Sequence, residues 1–141
     1  MRRLVAAVML AAALAAAGCN ASGETASTRT FSDKAVPFTF TVPADFTDES
    51  IDQGNSRGDV IAAAGLTKVD VIAVRRIDDH LLPIGGPGRP VAHEVLGHAV
   101  KSDLRPVPGF PGWFLECQYT AERASKVVDA CGRAVGSVRR R

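Results

Sequence analysis

The chain has 141 residues, of which 46% are hydrophobic and 23% charged, and its formal net charge is +2. Arg2 and Arg3 belong to an N-terminal export segment, and beyond that segment 15 basic side chains balance 15 acidic ones. A neutral chain without a basic patch, or aromatics interleaved with lysine and arginine, lacks the electrostatic pattern of a nucleic-acid-binding protein. The roughly 120 residues that remain suit one domain and are too few for two.

Residues 1–18 have the organisation of a bacterial export signal. Arg2 and Arg3 precede an uncharged, alanine-rich run over residues 4–17, and small residues lead up to Cys19. This run is shorter than the roughly 20 residues that a membrane-spanning helix needs, so it predicts a cleaved signal rather than a permanent anchor helix. The paired arginines leave general secretion and twin-arginine export both open.

Residues 14–19 (Leu-Ala-Ala-Ala-Gly-Cys) resemble the lipobox that precedes the modified cysteine of bacterial lipoproteins. Lipoboxes favour leucine three places before the cysteine, whereas this chain has Ala16 there. The resemblance implies that Cys19 is the lipidation site, with a diacylglyceryl group on its thiol and an acyl chain such as palmitate on its amine. We therefore expect a lipoprotein on the extracytoplasmic face of the cell membrane. The alternative is an ordinary secreted protein with a coincidental cysteine.

Residues 19–30 consist mainly of serine, threonine, alanine, glycine and single charges, without apolar periodicity. They predict a flexible tether that follows the lipidated cysteine, and the single globular domain is expected at residues 31–141. Only four of the 17 basic residues are lysines, and alanine and valine are abundant. This usage is typical of a G+C-rich genome and is consistent with an actinobacterial source.

Four segments of the domain show strand patterns. Residues 38–42 alternate phenylalanine or valine with threonine and end at Pro43. Residues 59–64 and 68–76 are separated by a short link beginning at Gly65, a spacing that suits an antiparallel hairpin. Residues 113–119 alternate again and place four residues on one side: Trp113, Leu115, Cys117 and Tyr119.

Helical spacing occurs twice after the proline- and glycine-rich residues 82–90, which predict a loop. Residues 91–101 predict a short amphipathic helix, because four apolar residues share one face: Ala92, Val95, Leu96 and Ala99. Residues 124–138 give the clearest pattern, with apolar side chains within an arc of about 120° and Cys131 at its centre. Thr120 is expected to be the N-cap of this last helix.

Two cysteines remain after lipidation, and both lie on predicted inward faces. Cys117 is on the last strand and Cys131 on the helix that should pack over it, so we expect a disulfide in an oxidising compartment. Two buried thiols or a redox site are the alternatives, although a redox pair is more usually Cys-x-x-Cys at a helix start. The predicted fold class is therefore α+β, an antiparallel sheet packed by a C-terminal helix.

No group of residues predicts an active site, a metal site or a cofactor. The segment from His93 to His98 resembles the zinc-protease helix, in which two histidines four residues apart lie about 40° apart around the helix axis. Here the two histidines are five residues apart, which would place their rings about 140° apart. Asp78, Asp79 and His80 include metal-ligand types, but adjacent side chains at a strand end point apart. No serine belongs to a nucleophile-elbow or Ser-x-x-Lys pattern.

Residues 38–46 (Phe-Thr-Phe-Thr-Val-Pro-Ala-Asp-Phe) resemble the opening strand and Pro-x-x-aromatic step of PsbP-like domains. Residues 117–137 are similar to the last strand and helix of the same group, and the two ends together cover less than half of the mature chain. Small actinobacterial lipoproteins carry such domains after a serine- and threonine-rich tether. The resemblance implies an α+β sandwich with binding or accessory roles and no shared catalytic residues.

These observations favour a lipid-anchored binding or accessory module that presents a sheet face or loop to another component of the cell envelope. Phe110, Trp113 and Phe114 offer a binding patch, although core packing is the expected use of at least two of them. One alternative is metal-assisted hydrolysis with a carboxylate and a histidine among His80, His93 and His98. Another is a carrier that holds a small hydrophobic ligand in a cleft between sheet and helix.

Overall fold

A computed structural model describes residues 27–50, 59–77 and 89–141. The described strands, in chain order, are β1 (Thr28–Phe31), β2 (Phe38–Pro43), β3 (Thr47–Asp48), β4 (Asp59–Gly65), β5 (Val71–Arg76), β6 (Val91–Val95), β7 (His98–Pro106), β8 (Trp113–Tyr119) and β9 (Arg139–Arg140). A single 3-10 turn (Ala121–Arg123) and the helix α1 (Ala124–Gly136) lie between β8 and β9. No helix within these ranges is long and apolar enough to cross a membrane.

The strands form two antiparallel sheets. The larger sheet has the order β3-β4-β5-β8-β7-β6, and the smaller has the order β1-β2-β9. In the smaller sheet Thr28 pairs with Pro43, and Phe31 pairs with Phe40. The first strand of the described residues therefore begins at Thr28, within residues 19–30, which the sequence predicted to be a tether.

Helix α1 packs against β2 of the smaller sheet and β8 of the larger one. The alternation of β2 buries one set of its side chains, as the sequence predicted, and these meet the apolar stripe of α1. The core formed in this way includes Phe38, Phe40, Ile72, Val74, Leu115, Val127 and Ala134. The predicted α+β class, an antiparallel sheet packed by a C-terminal helix, is confirmed.

A disulfide joins Cys117 of β8 to Cys131 of α1 at the centre of this core. Their Cα atoms are 6.1 Å apart, and both residues are fully buried. The bridge therefore connects the helix to the strand on which it packs, which is the pairing expected from the sequence.

The helix expected at residues 91–101 is wrong, because this segment is the antiparallel hairpin of β6 and β7. Leu96 and Gly97 form its two-residue turn, with φ of 49° and 77°. Positive φ at both central positions is the requirement of a type I′ hairpin turn, and glycine meets it without strain. The β-branched Val91, Val95 and Val100 favour strands, while the apolar spacing of the same segment also fits a helix.

Thr120 occupies the N-cap position of the 3-10 turn that leads into α1, whereas the N-cap of α1 itself is Arg123. The side chain of Thr120 makes no capping bond. Its backbone N–H and its hydroxyl instead donate to Oδ1 of Asp70, at 2.7 and 2.9 Å. Asp70 is buried, and its Oδ2 accepts the hydroxyl of Thr67 at 2.7 Å. A buried carboxylate needs several donors, so this one holds the link before β5 against the start of the helical region.

Candidate functional site

Among the described strands, β6 forms one edge of the larger sheet, and most of its residues are exposed to solvent. Four of its five residues are exposed, and Val95 is half-buried. Val91 exposes 44% of its surface and Leu96 at the hairpin tip exposes 64%, and these are the exposed large hydrophobic residues of the described ranges. An edge strand presents unpaired backbone N–H and C=O groups, so this edge can accept another strand.

The hairpin register shows which backbone groups point outward. Val95 and His98 flank the two-residue turn, and such a pair exchanges both hydrogen bonds. Hydrogen-bonded and non-hydrogen-bonded pairs alternate along antiparallel strands. The N–H and C=O groups of Glu94 and Ala92 therefore point away from β7, towards the open edge.

A cleft of about 470 Å³ lies beside this edge, between the hairpin and the start of α1. That volume is within the range of small-molecule pockets. Much of its lining consists of small residues, namely Pro90, Ala92, Ala99, Ala121 and Ala124. The cleft exists because alanines leave space where larger side chains would fill the angle between hairpin and helix.

Tyr119 and Lys101 supply polar groups to the cleft from paired positions on β8 and β7. Burial raises the pKa of Tyr119 above its ordinary value; the charge of Asp103 adds to the increase, and Arg105 opposes it. The phenol is therefore neutral at physiological pH and can donate a hydrogen bond. Asp103 and Arg105 form an ion pair at 3.3 Å beside it. The cleft can thus hold an apolar group and attract an acidic one through the exposed Lys101 ammonium.

The histidines predicted to lie on a helix lie on the hairpin instead. His93 Nε2 is 2.7 Å from Ser102 Oγ, and no carboxylate among the described residues hydrogen bonds to this imidazole. The pair therefore lacks the third member of a serine-hydrolase triad in this part of the chain. His98 lines a different cavity, together with Asp70 and Glu122.

The predicted metal-ligand types do not gather at one point within residues 27–50, 59–77 and 89–141. These ranges contain no group of three or more histidine, cysteine, aspartate or glutamate residues that could hold a metal ion. Asp78, Asp79, His80 and most of the proline- and glycine-rich loop at residues 82–90 lie outside the described residues.

Sequence reasoning missed the open edge, and it offered a cleft between sheet and helix only as an alternative, without its lining residues. The signal that could have found the edge is Gly97 with the β-branched Val91 and Val95 before it and Val100 after it. The cleft had no comparable signal, since its alanines come from β6, β7 and the helical region and meet only in the folded chain.

No family model matches the chain, and no curated protein matches it. Among solved structures, the chain is similar to the solution structure of cyanobacterial PsbP (CyanoP) from Synechocystis sp. PCC 6803. The identity is 13% and the TM-score is 0.42, with 82% of this chain and 94% of that chain covered.

Proposed function

We propose that this protein is a binding module of the bacterial cell envelope, tethered to the membrane through Cys19, which binds an extended peptide segment of a partner protein along β6. The observation that carries the proposal is the open edge of β6 directly beside a mostly apolar cleft. The edge supplies backbone recognition, and the cleft supplies selection of a side chain.

A bound peptide would extend the larger sheet by one strand. The outward groups of Ala92 and Glu94 offer two N–H donors and two C=O acceptors, in the spacing that an antiparallel or parallel strand uses. Each backbone hydrogen bond contributes only about 1 kcal/mol net, so four bonds alone give weak binding. The side chains must therefore contribute most of the selectivity.

The cleft favours a partner segment with one apolar side chain next to an acidic one. Alternate side chains of an added strand lie on the same face as Ala92, which lines the cleft. The small lining residues leave space for the apolar side chain. The exposed Lys101 ammonium attracts a carboxylate, and the neutral Tyr119 hydroxyl can donate to it.

The experiment places a photo-crosslinking residue, p-benzoylphenylalanine, at Val91 in the protein expressed in its native host. It compares Glu94→Pro with the matched control Glu94→Ala. Proline removes the outward N–H of residue 94 but leaves the bonds between β6 and β7, because that N–H is not part of them. Alanine removes only the side chain.

We expect an adduct of defined mass that persists in Glu94→Ala and disappears in Glu94→Pro. Far-ultraviolet circular dichroism of both variants checks that the fold is retained. The same adduct in the proline variant, or equal labelling from a crosslinker at the exposed Ala44, would show that the edge of β6 is not the binding site.

A second candidate function is a carrier for a small amphipathic ligand, and the volume of the cleft favours it. Dodecanoate is a suitable probe because it combines an apolar chain with a carboxylate for Lys101. Under this function Ala124→Leu, which fills the cleft, abolishes dodecanoate binding in native mass spectrometry, and Glu94→Pro leaves it unchanged. Ala44→Leu is the control for added bulk, and no dodecanoate bound to the unaltered protein would exclude this candidate.

A further inference from the structure

A second surface gathers four exposed cations around two aromatic side chains, at the end of β8 opposite Tyr119. We call it the cationic patch, and it consists of Lys34, Arg76, Arg140 and Arg141 with Phe110 and Trp113. Lys34, Trp113, Arg140 and Arg141 line one shallow depression. Arg76 joins it because it pairs with Trp113 across β5 and β8.

The two rings hold Arg76 and Arg140 in place. The guanidinium carbon of Arg140 lies 4.9 Å from the ring centre of Phe110, and that of Arg76 lies 5.7 Å from the ring centre of Trp113. Both rings pack against Phe38, with centre distances of 4.9 and 5.7 Å. Because Phe38 is fully buried, the cations rest on side chains that are fixed to the core.

The cations of the patch are not engaged in ion pairs within the described part of the chain. None of its four cations forms an ion pair with a carboxylate in residues 27–50, 59–77 and 89–141. Five other cations of these ranges do form such pairs, namely Arg29, Arg75, Arg105, Arg123 and Lys126. The carboxylate of Asp33, in the same loop as Lys34, accepts the backbone N–H of Ala35.

The cationic patch has no continuous counterpart in the sequence. The four cations are at positions 34, 76, 140 and 141, and the mature chain is formally neutral. Pairing of Phe38 with Arg140, and of Arg76 with Trp113, brings these distant positions together.

We propose that the cationic patch docks the domain on the surface of an anionic phospholipid bilayer. Arginine guanidinium groups form paired hydrogen bonds with phosphate, and lysine adds a point charge. Tryptophan is enriched at bilayer interfaces because its ring is apolar while its N–H is polar. A cluster of cations that lack a carboxylate partner among the described residues, beside a half-buried tryptophan, therefore matches the chemistry of a headgroup layer.

The chain length before the domain permits this contact. The described chain starts beside Pro43, whereas Arg140 pairs with Phe38 at the other end of β2. The length of β2 is about 17 to 20 Å, and residues 19–27 can span at most about 30 Å. A domain attached through Cys19 can therefore bring the patch to the membrane that holds it.

The protein offers its own probe, because Trp113 is its only tryptophan and lies within the patch. The test uses the processed protein, purified from its host membrane and reconstituted with vesicles. One set of vesicles contains phosphatidylcholine alone and the other contains phosphatidylcholine with phosphatidylglycerol. Both carry a nitroxide-labelled lipid that quenches tryptophan close to the headgroups.

We expect quenching of Trp113 on the anionic vesicles, little quenching on the neutral ones, and loss of the difference in high salt. The double variant Arg140→Gln/Arg141→Gln should lose the quenching, while the matched double control Lys68→Gln/Arg133→Gln, which removes two exposed cations outside the patch, should retain it. Glu94→Pro should also retain it, so this result is separate from the fate of the peptide-binding proposal.

Equal quenching on both kinds of vesicle would overturn the proposal, and so would undiminished quenching in the double variant. A change in Trp113 emission with soluble polyphosphate, without any response to anionic vesicles, would also overturn it in favour of a dissolved anion. Near-ultraviolet circular dichroism of each variant checks that the packing around Trp113 is intact.

Discussion

Reduction of the disulfide between Cys117 and Cys131 should make the domain markedly less stable. The two cysteines are separated by 14 positions, so the bridge closes a loop that contains the 3-10 turn and the first half of α1. The loss of loop-closure entropy in the unfolded chain amounts to about 3 kcal/mol for a loop of this length. Both sulfurs are buried in the core, so the reduced thiols keep their packing and the crosslink alone is removed.

The assay is urea unfolding of oxidised and reduced protein, followed by Trp113 fluorescence. We expect the free energy of unfolding to fall by about 3 kcal/mol on reduction, which corresponds to a melting temperature lower by about 12 °C for a domain of this size. The double variant Cys117→Ala/Cys131→Ala should lose more than the reduced protein, because it also leaves a cavity where the sulfurs were.

Equal urea midpoints for the oxidised and reduced forms would refute this reasoning, since they would mean that the bridge does not restrict the unfolded chain. Thiol labelling of unfolded, unreduced protein gives a separate check. Free thiols at both positions would show that the bond does not form in the cell.

Three further predictions concern the anchor, the cleft and Asp70. Cys19→Ser should move the protein from the membrane fraction to a soluble extracytoplasmic fraction and abolish incorporation of labelled palmitate; unchanged fractionation would contradict lipidation. Phenolate absorbance of Tyr119, the only tyrosine, should titrate above 10.0 because burial disfavours the anion. The phenol ionises at a lower pH in the unfolded chain than in the folded protein, so the free energy of unfolding should fall as the pH rises above 10.0. Tyr119→Phe should make this fall smaller, and a titration of Tyr119 at its ordinary pKa would contradict the prediction. Asp70→Asn should lower the free energy of unfolding by about 2 kcal/mol, measured by urea, because the amide NH2 cannot accept the hydroxyl of Thr67 and the bonds from Thr120 no longer go to a charged acceptor; the exposed Asp48→Asn is the control.

The parts of the fold that could be predicted are those in which local pattern and burial agree. In β2 the aromatic and threonine residues alternate, and the aromatic set is the one that enters the core. In α1 the apolar arc centred on Cys131 is the buried face, so the expected disulfide partner could be identified from the same pattern. Here burial of one face selects both the secondary structure and the register.

The hairpin of β6 and β7 could not be predicted because its side chains are mostly exposed. Without burial of one face, strand alternation and helical spacing fit the same apolar residues, and the turn carries only one glycine as a marker. Leu96 occupies a positive φ that leucine rarely adopts, so composition did not indicate a type I′ turn. The cationic patch was missed for a different reason, since long-range strand pairing creates it.

The two proposed surfaces are compatible because they lie at opposite ends of β8. Trp113 begins that strand and Tyr119 ends it, a separation of about 20 Å along the strand. The hairpin turn at Leu96 lies beyond the Tyr119 end, because Lys101 pairs with Tyr119 and β7 begins at His98. A domain docked through the patch would therefore direct the open edge of β6 away from the bilayer.

Docking would also restrict the rotation of the tethered domain and so raise the effective concentration of the edge for a partner fixed in the same envelope layer. The double variant in the patch should then reduce the yield of crosslinking from Val91 without abolishing it, whereas Glu94→Pro should abolish it.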